Sequence, residues 1–290
     1  MDRTPWLYTL KWAAERRGLA VEVATRPGRE YSELVLKGDV DFVAENYYNI
    51  QSLRAKGAPF ISVATAVSHL NEVLFVRPEI MTFDDLRGKK LAIRGMGPGE
   101  LAYRLWLDDM GLTRDVEGVV YSESDVGRWG NWRKVVDGEC AAAFVTNLYQ
   151  DEPLAGGLKP LPFETFGFIG NVTLTTCRRV IDDRHDDVEQ LVRAAFDATD
   201  LFKQDRGRTL DIIGREPAQL IKGERPYSVE RMYEILRDEL SDVPVPTIEG
   251  IRNTRRMALS RSPELVDFDP LPMWDLSFAG RILEERAATL

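Results

Sequence analysis

Two cysteines in 290 residues, Cys140 and Cys177, are too few for a disulfide framework. Each sits in an apolar or strand-like stretch, where a buried thiol is the expected state. Histidine is as scarce: only His69 and His185 occur. No His and Cys cluster has metal-ligand spacing, so no metal is expected. Positive charge is in deficit, with 38 Lys and Arg against 47 Asp and Glu for a net charge of -9. With no basic stripe among aromatics, that balance argues against a nucleic-acid partner. It leaves room for a small anion, because a binding site needs only local positive charge. No apolar run approaches the length of a membrane span. The opening Met1-Asp2-Arg3-Thr4-Pro5 lacks a secretory leader pattern. A cytoplasmic protein is expected if that start is genuine, and a periplasmic or cell-surface one if the true start lies upstream with a signal peptide. No serine stands in a G-x-S-x-G context, and Gly95 and Gly97 do not extend to a dinucleotide fingerprint, so no cofactor is expected.

What is present is an alternation of strand and helix. Pro5 to Arg17 carries apolar residues at helical spacing and closes at Gly18, and Leu19 to Thr25 alternates as a strand does. Ser32 to Lys37 reads as a helix ended by Gly38, and Val40 to Ala44 as a buried strand. Asn49 to Lys56 is helical up to Gly57, with strands over Phe60 to Val67 and Glu72 to Val76. A second unit runs from strand Leu91 to Ile93 through a helix at 100–110, strand Val116 to Tyr121, helix Gly127 to Val136 and strand Ala141 to Val145. Val172 to Thr176 looks like a return strand, and helices follow to the end. The expected class is α/β with mainly parallel sheets and a helical C-terminal region. Crossings near 77–83 and 167–172 divide the chain into residues 1–80 plus 172–290 and residues 81–171, two lobes with a ligand cleft. Ligands in open α/β sheets sit beyond the carboxyl ends of strands.

The most informative stretch is Asp84 to Gly99. A charged turn feeds the strand Leu91 to Ile93, then Arg94, then the loop Gly95-Met96-Gly97-Pro98-Gly99, then a helix. Unpaired N–H groups and the dipole at such a helix start attract anions. Arg94 places a full positive charge beside them. The plainer alternative is a βα corner that needs glycine only for its turn.

These runs carry a resemblance. GDVDFVAENYYNIQSLRAKGAPFISVATAV (38–67) resembles the first lobe of type II periplasmic binding proteins, in the branch of nitrate, sulfonate and taurine binding proteins and NMT1/THI5-like proteins. DLRGKKLAIRGMGPGE resembles the opening of their second lobe, VVDGECAAAFVTN (135–147) its later strand, and PLPMWDLSFAGRI (270–282) their terminal segment. The resemblance implies a two-lobe fold and a solute-binding protein of an ABC importer, with a small organic ligand and an ABC permease as partners. Two departures stand out. Family members open with a strand ahead of the first helix, where this chain begins at the helix, and Glu45 stands where transporter relatives place a small or neutral residue.

Candidate ligand contacts are the strand-end residues Thr4, Trp6, Glu45, Asn46, Tyr47, Ser68, His69, Arg94, Gly95, Met96, Gly97, Trp129, Thr146, Asn147 and Asn171. The tyrosine and tryptophans either wall a flat ligand or pack structurally, and His69 either meets a ligand or bonds backbone. Arg94 points to a carboxylate, sulfonate or phosphate group, and a pyrimidine-like body would suit the rings. The alternative implied by resemblance is a cytoplasmic enzyme on the same fold, similar to a 4,5-dihydroxyphthalate decarboxylase or to a thiamine-pyrimidine-pathway enzyme. The opening and the segments VAENYYNIQSLRAKG and DLRGKKLAI also resemble the 4,5-dihydroxyphthalate decarboxylase group. On that reading Arg94 holds a carboxylate while His69 or Glu45 handles a proton. The absence of a catalytic constellation favours binding.

Overall fold

Apolar spacing and terminal glycines set the order of elements. In the computed structural model, residues 4–24, 31–70, 72–95, 98–127, 129–163, 165–170, 172–217, 227–259 and 262–289 are described. The chain opens with α1 (Thr4–Arg16), α2 (Tyr31–Lys37), β1 (Val43–Glu45), α3 (Tyr47–Ala55) and β2 (Phe60–Thr65). Next come β3 (Glu72–Val76), β4 (Lys90–Arg94), α4 (Pro98–Asp109), β5 (Glu117–Tyr121), α5 (Glu123–Val126), α6 (Arg133–Val136), β6 (Ala142–Thr146), α7 (Asp151–Ala155) and β7 (Lys159–Pro160). The last part holds β8 (Thr173–Cys177), α8 (Arg178–Asp183), α9 (His185–Gln204), α10 (Arg206–Ile213) and the helices Val229–Glu239, Ile248–Ala258 and Ser277–Ala287.

Two compact units result: residues 1–69 with 167–290, and residues 70–166. The first division therefore falls ahead of β3, where the sequence pattern drew it at residue 80. Each unit has its own core. In the first, α1 buries Trp6, Leu10, Ala13 and Ala14 along one face and packs on α9. There Val188, Leu191, Val192, Ala195, Thr199 and Phe202 repeat at the same period. In the second, Leu74, Leu91, Ile93, Trp106 and Phe144 form the centre.

The α/β class holds, and the direction of the sheets is corrected from mainly parallel to mixed. The first unit's sheet runs β1-β8-β2, and β8 is antiparallel to both neighbours. The second runs β5-β4-β6-β3-β7, with β4 parallel to β5 and β6 but β3 antiparallel to β6 and β7. The reversed strands, β3 and β8, are those that follow a passage from one unit to the other. A strand entering a sheet without a crossover helix is free to run against its neighbours. Within the β2–β8 ladder the hydroxyls of Ser62 and Thr175 lie 2.8 Å apart, and those of Thr65 and Thr173 2.9 Å apart. Pairing satisfies groups that would otherwise be costly to bury.

Helices match their sequence signals closely. Gly18, Gly38 and Gly57 close three of them at φ of 84°, 81° and 98°, a region open to glycine. Ser228 and Thr247 cap two later helices by accepting from the N–H groups of Arg231 and Gly250. Two expectations fail. Of the helix expected over 127–136 only Arg133–Val136 is helical among the described residues, because Gly127 has φ of 77° and a Cβ on Gly130 would lie 1.9 Å from the Val126 carbonyl oxygen. Residues 19–24 alternate half-buried and exposed as a strand would, yet among the described residues they join no ladder.

Candidate functional site

In the second unit, β4, β5 and β6 run parallel and end at Arg94, Tyr121 and Thr146, so their carboxyl ends share one edge of the sheet. Arg94, half-buried, lays its guanidinium 4.1 Å from the centroid of Trp129. Trp129 in turn stacks on Tyr149, with centroids 4.7 Å apart and planes within 16°. Two groups at those distances fit only on opposite faces of the indole. Trp129 thus lies between the guanidinium and the tyrosine ring and is itself half-buried. The attraction of a cation to an indole face is worth about 0.5–2 kcal/mol.

The neighbouring backbone fixes this stack. Asn131, buried, donates from Nδ2 to the carbonyl oxygens of Ala92 at 3.1 Å and Phe144 at 2.9 Å, tying β4 to β6 close to the Trp129 turn. Gly95 donates its N–H to the Tyr121 carbonyl at 2.9 Å. A Cβ there would sit 3.0 Å from Val120 and 3.1 Å from that same oxygen, so the corner after Arg94 needs glycine for closeness. Met96 and Gly97 lie outside the described residues. Past them α4 begins at Pro98 and runs for 12 residues, bringing a helix start to the same edge. Thr146 is buried and Asn147 half-buried, and the short turn Asn147–Tyr149 carries the tyrosine beneath Trp129. The candidates drawn from the sequence include neither Tyr149 nor Asn131. An aromatic three residues past a strand end was the available signal.

The first unit uses its strand ends differently. Glu45, the last residue of β1, is buried. Its Oε2 accepts the N–H of Ser32 at 3.0 Å and its Oε1 accepts from Asn49 Nδ2 at 3.3 Å. The carboxyl thus serves the first turn of α2, one of whose N–H groups has no partner inside the helix. Burial pushes it above its ordinary value, against the opposing bonds from Asn49 and Ser32. Glu45 thereby anchors the starts of α2 and α3 to the end of β1.

Tyr47 is fully buried. Its hydroxyl accepts from Trp274 Nε1 at 2.6 Å and contacts Met273 Sδ at 3.8 Å, and burial drives the phenol well above its ordinary value. Trp6 is fully buried too, donating from Nε1 to Thr199 Oγ1 at 3.3 Å on α9. Both are core residues, contrary to expectation. Thr4 is buried at the start of α1. Ser68 is fastened to the 240s segment, its Oγ donating to the Val245 carbonyl at 2.9 Å and its N–H to Ser241 Oγ at 3.2 Å. His69 is half-buried and forms a bridge with Gly167. Asn46 precedes α3 without a side-chain capping bond. Asn171 lies outside the described residues.

Both cysteines are buried and free. Burial pushes the Cys140 thiol up, with Tyr121 bonding at 3.5 Å, which is the opposite of an activated nucleophile. Among the described residues no His, Cys, Asp and Glu group could hold a metal ion, and no helix is long and apolar enough to cross a membrane. Of the candidates, Arg94, Gly95, Trp129, Thr146 and Asn147 gather at one edge in the second unit. Trp6, Glu45, Tyr47 and Ser68 are engaged in holding the first unit together.

The family model described as NMT1/THI5 like matches residues 15–205. None of the curated proteins matches the chain in sequence. Among solved structures, a putative sulfonate ABC transporter periplasmic sulfonate-binding protein from Methylobacillus flagellatus is similar at a TM-score of 0.70 and 18% identity, over 98% of this chain and 89% of that one. The periplasmic aliphatic sulphonate binding protein of Escherichia coli follows at 0.63 and 16%, over 89% and 83%. The alkanesulfonate-binding protein from Xanthomonas axonopodis, solved with MOPS, stands at 0.57 and 17%, over 95% and 96%. The chain belongs to the NMT1/THI5-like family and has the type II periplasmic binding protein fold.

Proposed function

We propose that the protein is a solute-binding protein that takes a small organic anion on Arg94 and hands it to an ABC permease. The carrying observation is the Arg94–Trp129–Tyr149 stack at the carboxyl ends of β4 and β6. A guanidinium is the side chain whose planar charge best matches carboxylate and sulfonate oxygens. The start of α4 adds partial positive charge at the same edge. Similarity in fold to sulfonate-binding proteins supports the reading, and a periplasmic or cell-surface location goes with it.

Thermal-shift titration tests the proposal with ethanesulfonate, benzoate and a neutral pyrimidine, each incubated and then recovered for mass analysis. The anions are expected to raise the melting temperature and return unchanged. Stabilisation by the neutral compound alone, or recovery of an altered anion, would overturn the reading.

A further inference from the structure

In the second unit's sheet the ladder between β4 and β6 stops short. It pairs Leu91 with Ala142 and Ala92 with Ala143, and there it ends. On the other side β4 stays paired with β5 as far as Arg94 and Tyr121, and β6 stays paired with β3 as far as Thr146 and Glu72. The opening therefore lies between β4 and β6 alone. It is also where the chain reverses its path through the sheet, since β4 leads through α4 to β5 on one side and the chain then crosses to β6 on the other. Crevices at such switch points are where open α/β sheets take ligands.

Asn131, buried, stands in that opening. Its Nδ2 donates at 3.1 Å to the Ala92 carbonyl on one strand and at 2.9 Å to the Phe144 carbonyl on the other. Two carbonyl acceptors require the nitrogen of the amide, which carries two N–H donors, to face them. The Lys89 carbonyl and the Gly95 N–H both bond toward β5, so by alternation Arg94 turns its N–H toward β6. A continuing ladder would give the Phe144 carbonyl to that N–H, and the Asn131 amide takes the carbonyl instead. The turn that carries Asn131 is itself fastened. Arg133 donates its N–H to the Gly130 carbonyl and its Nη1 to the Val126 carbonyl, each at 2.9 Å. Trp129, two residues earlier in the same turn, lies against the Arg94 guanidinium.

We propose that Asn131 is a positioning residue that wedges β4 from β6 and so sets the opening in which Arg94 meets the anion. The inference rests on the reading of Arg94 as the anion contact. Direct main-chain bonds hold neighbouring strands about 4.8 Å apart, and an amide inserted between their carbonyls holds them wider. One turn thus serves the end of β4 twice, with an indole against the side chain and an amide beside the backbone.

The test is Asn131→Ala, read in two ways. Loss of a wedge lets the ladder continue past Phe144, where its following bond takes the Thr146 N–H. Amide exchange at Thr146 should then slow at least ~10-fold in the variant without ligand. A residue that merely tied the strands would act in the opposite direction, so faster or unchanged exchange overturns the proposal. Calorimetric affinity of the folded protein for ethanesulfonate and benzoate should fall at least ~10-fold, and the same substitution in an Arg94→Ala background should have no further effect. Full affinity in Asn131→Ala beside weakened binding in Arg94→Ala would overturn this inference alone. Unchanged affinity in Arg94→Ala would overturn the reading of Arg94, and the role of Asn131 with it. Should the Ala variant fail to fold, Asn131→Ser, whose side chain is too short to span both strands, is judged by the same two readouts.

Discussion

At the end of β1 a carboxylate, Glu45, is held by Ser32 and Asn49, and the ring that follows, Tyr47, is held by Trp274. At the end of β4 a guanidinium, Arg94, lies across Trp129, which lies on Tyr149. Both are carboxyl ends of strands in an α/β unit, the usual location of binding residues. In the first unit these side chains bond inward and satisfy helix ends and buried hydroxyls. In the second, a cation and two rings stack at the strand ends, and the charge stands at the edge where the parallel strands finish. Position in the fold nominates residues, and hydrogen-bond accounting separates anchors from contacts.

The sharpest way to break the comparison is Trp6→Ala. It removes a fully buried indole and should cost about 3–5 kcal/mol of stability, read from denaturant midpoints. Anion affinity of the folded fraction should stay unchanged. A loss of affinity in the folded fraction would return Trp6 to the site.

Arg94→Ala should do the reverse. Loss of a charge-assisted hydrogen bond predicts about 1.5–3 kcal/mol weaker anion binding, with little change in the denaturant midpoint. Tyr47→Phe should lower stability by about 1–3 kcal/mol, since the Trp274 N–H loses its acceptor, and leave binding alone.

The smallest effect belongs to Glu45→Gln. The folded carboxyl is raised by burial, so folding favours its protonated form. That contribution is fully present below the ordinary carboxylate value of about 4.3 and fades as pH rises through the raised value. The variant should match wild type in acid and exceed it near neutrality, with anion affinity retained. Urea midpoints taken across that range check it. A wild type more stable than the variant at neutral pH would reverse the sign assigned here.

How legible this was in the sequence differs by element. The helices after β8 stand almost where apolar period and Ser or Thr caps put them, because an amphipathic helix carries both its face and its ends in local sequence. Strand direction was not legible. β3 and β8 look like other short apolar runs, and only the passage between units sets them antiparallel. Residues 19–24 kept their alternation without a ladder, since pattern records which face is buried and not which neighbour is paired. At the site, Arg94 and its glycine corner could be read from a strand running into a Gly-rich loop. The anchoring of Glu45 could not, because its partners depend on how α2 and α3 return to β1. Trp6 was misassigned because a helix start was taken as an exposed edge, whereas α1 buries its first turn against α9.

The central claim is that Arg94, and not the polar groups of the first unit, meets the ligand's anionic group. Calorimetric titration of wild type, Arg94→Ala and Glu45→Gln with ethanesulfonate and benzoate tests it directly. Binding that falls at least ~10-fold in Arg94→Ala and persists in Glu45→Gln is the predicted result. Equal affinity in wild type and Arg94→Ala would contradict the account and place the anion elsewhere.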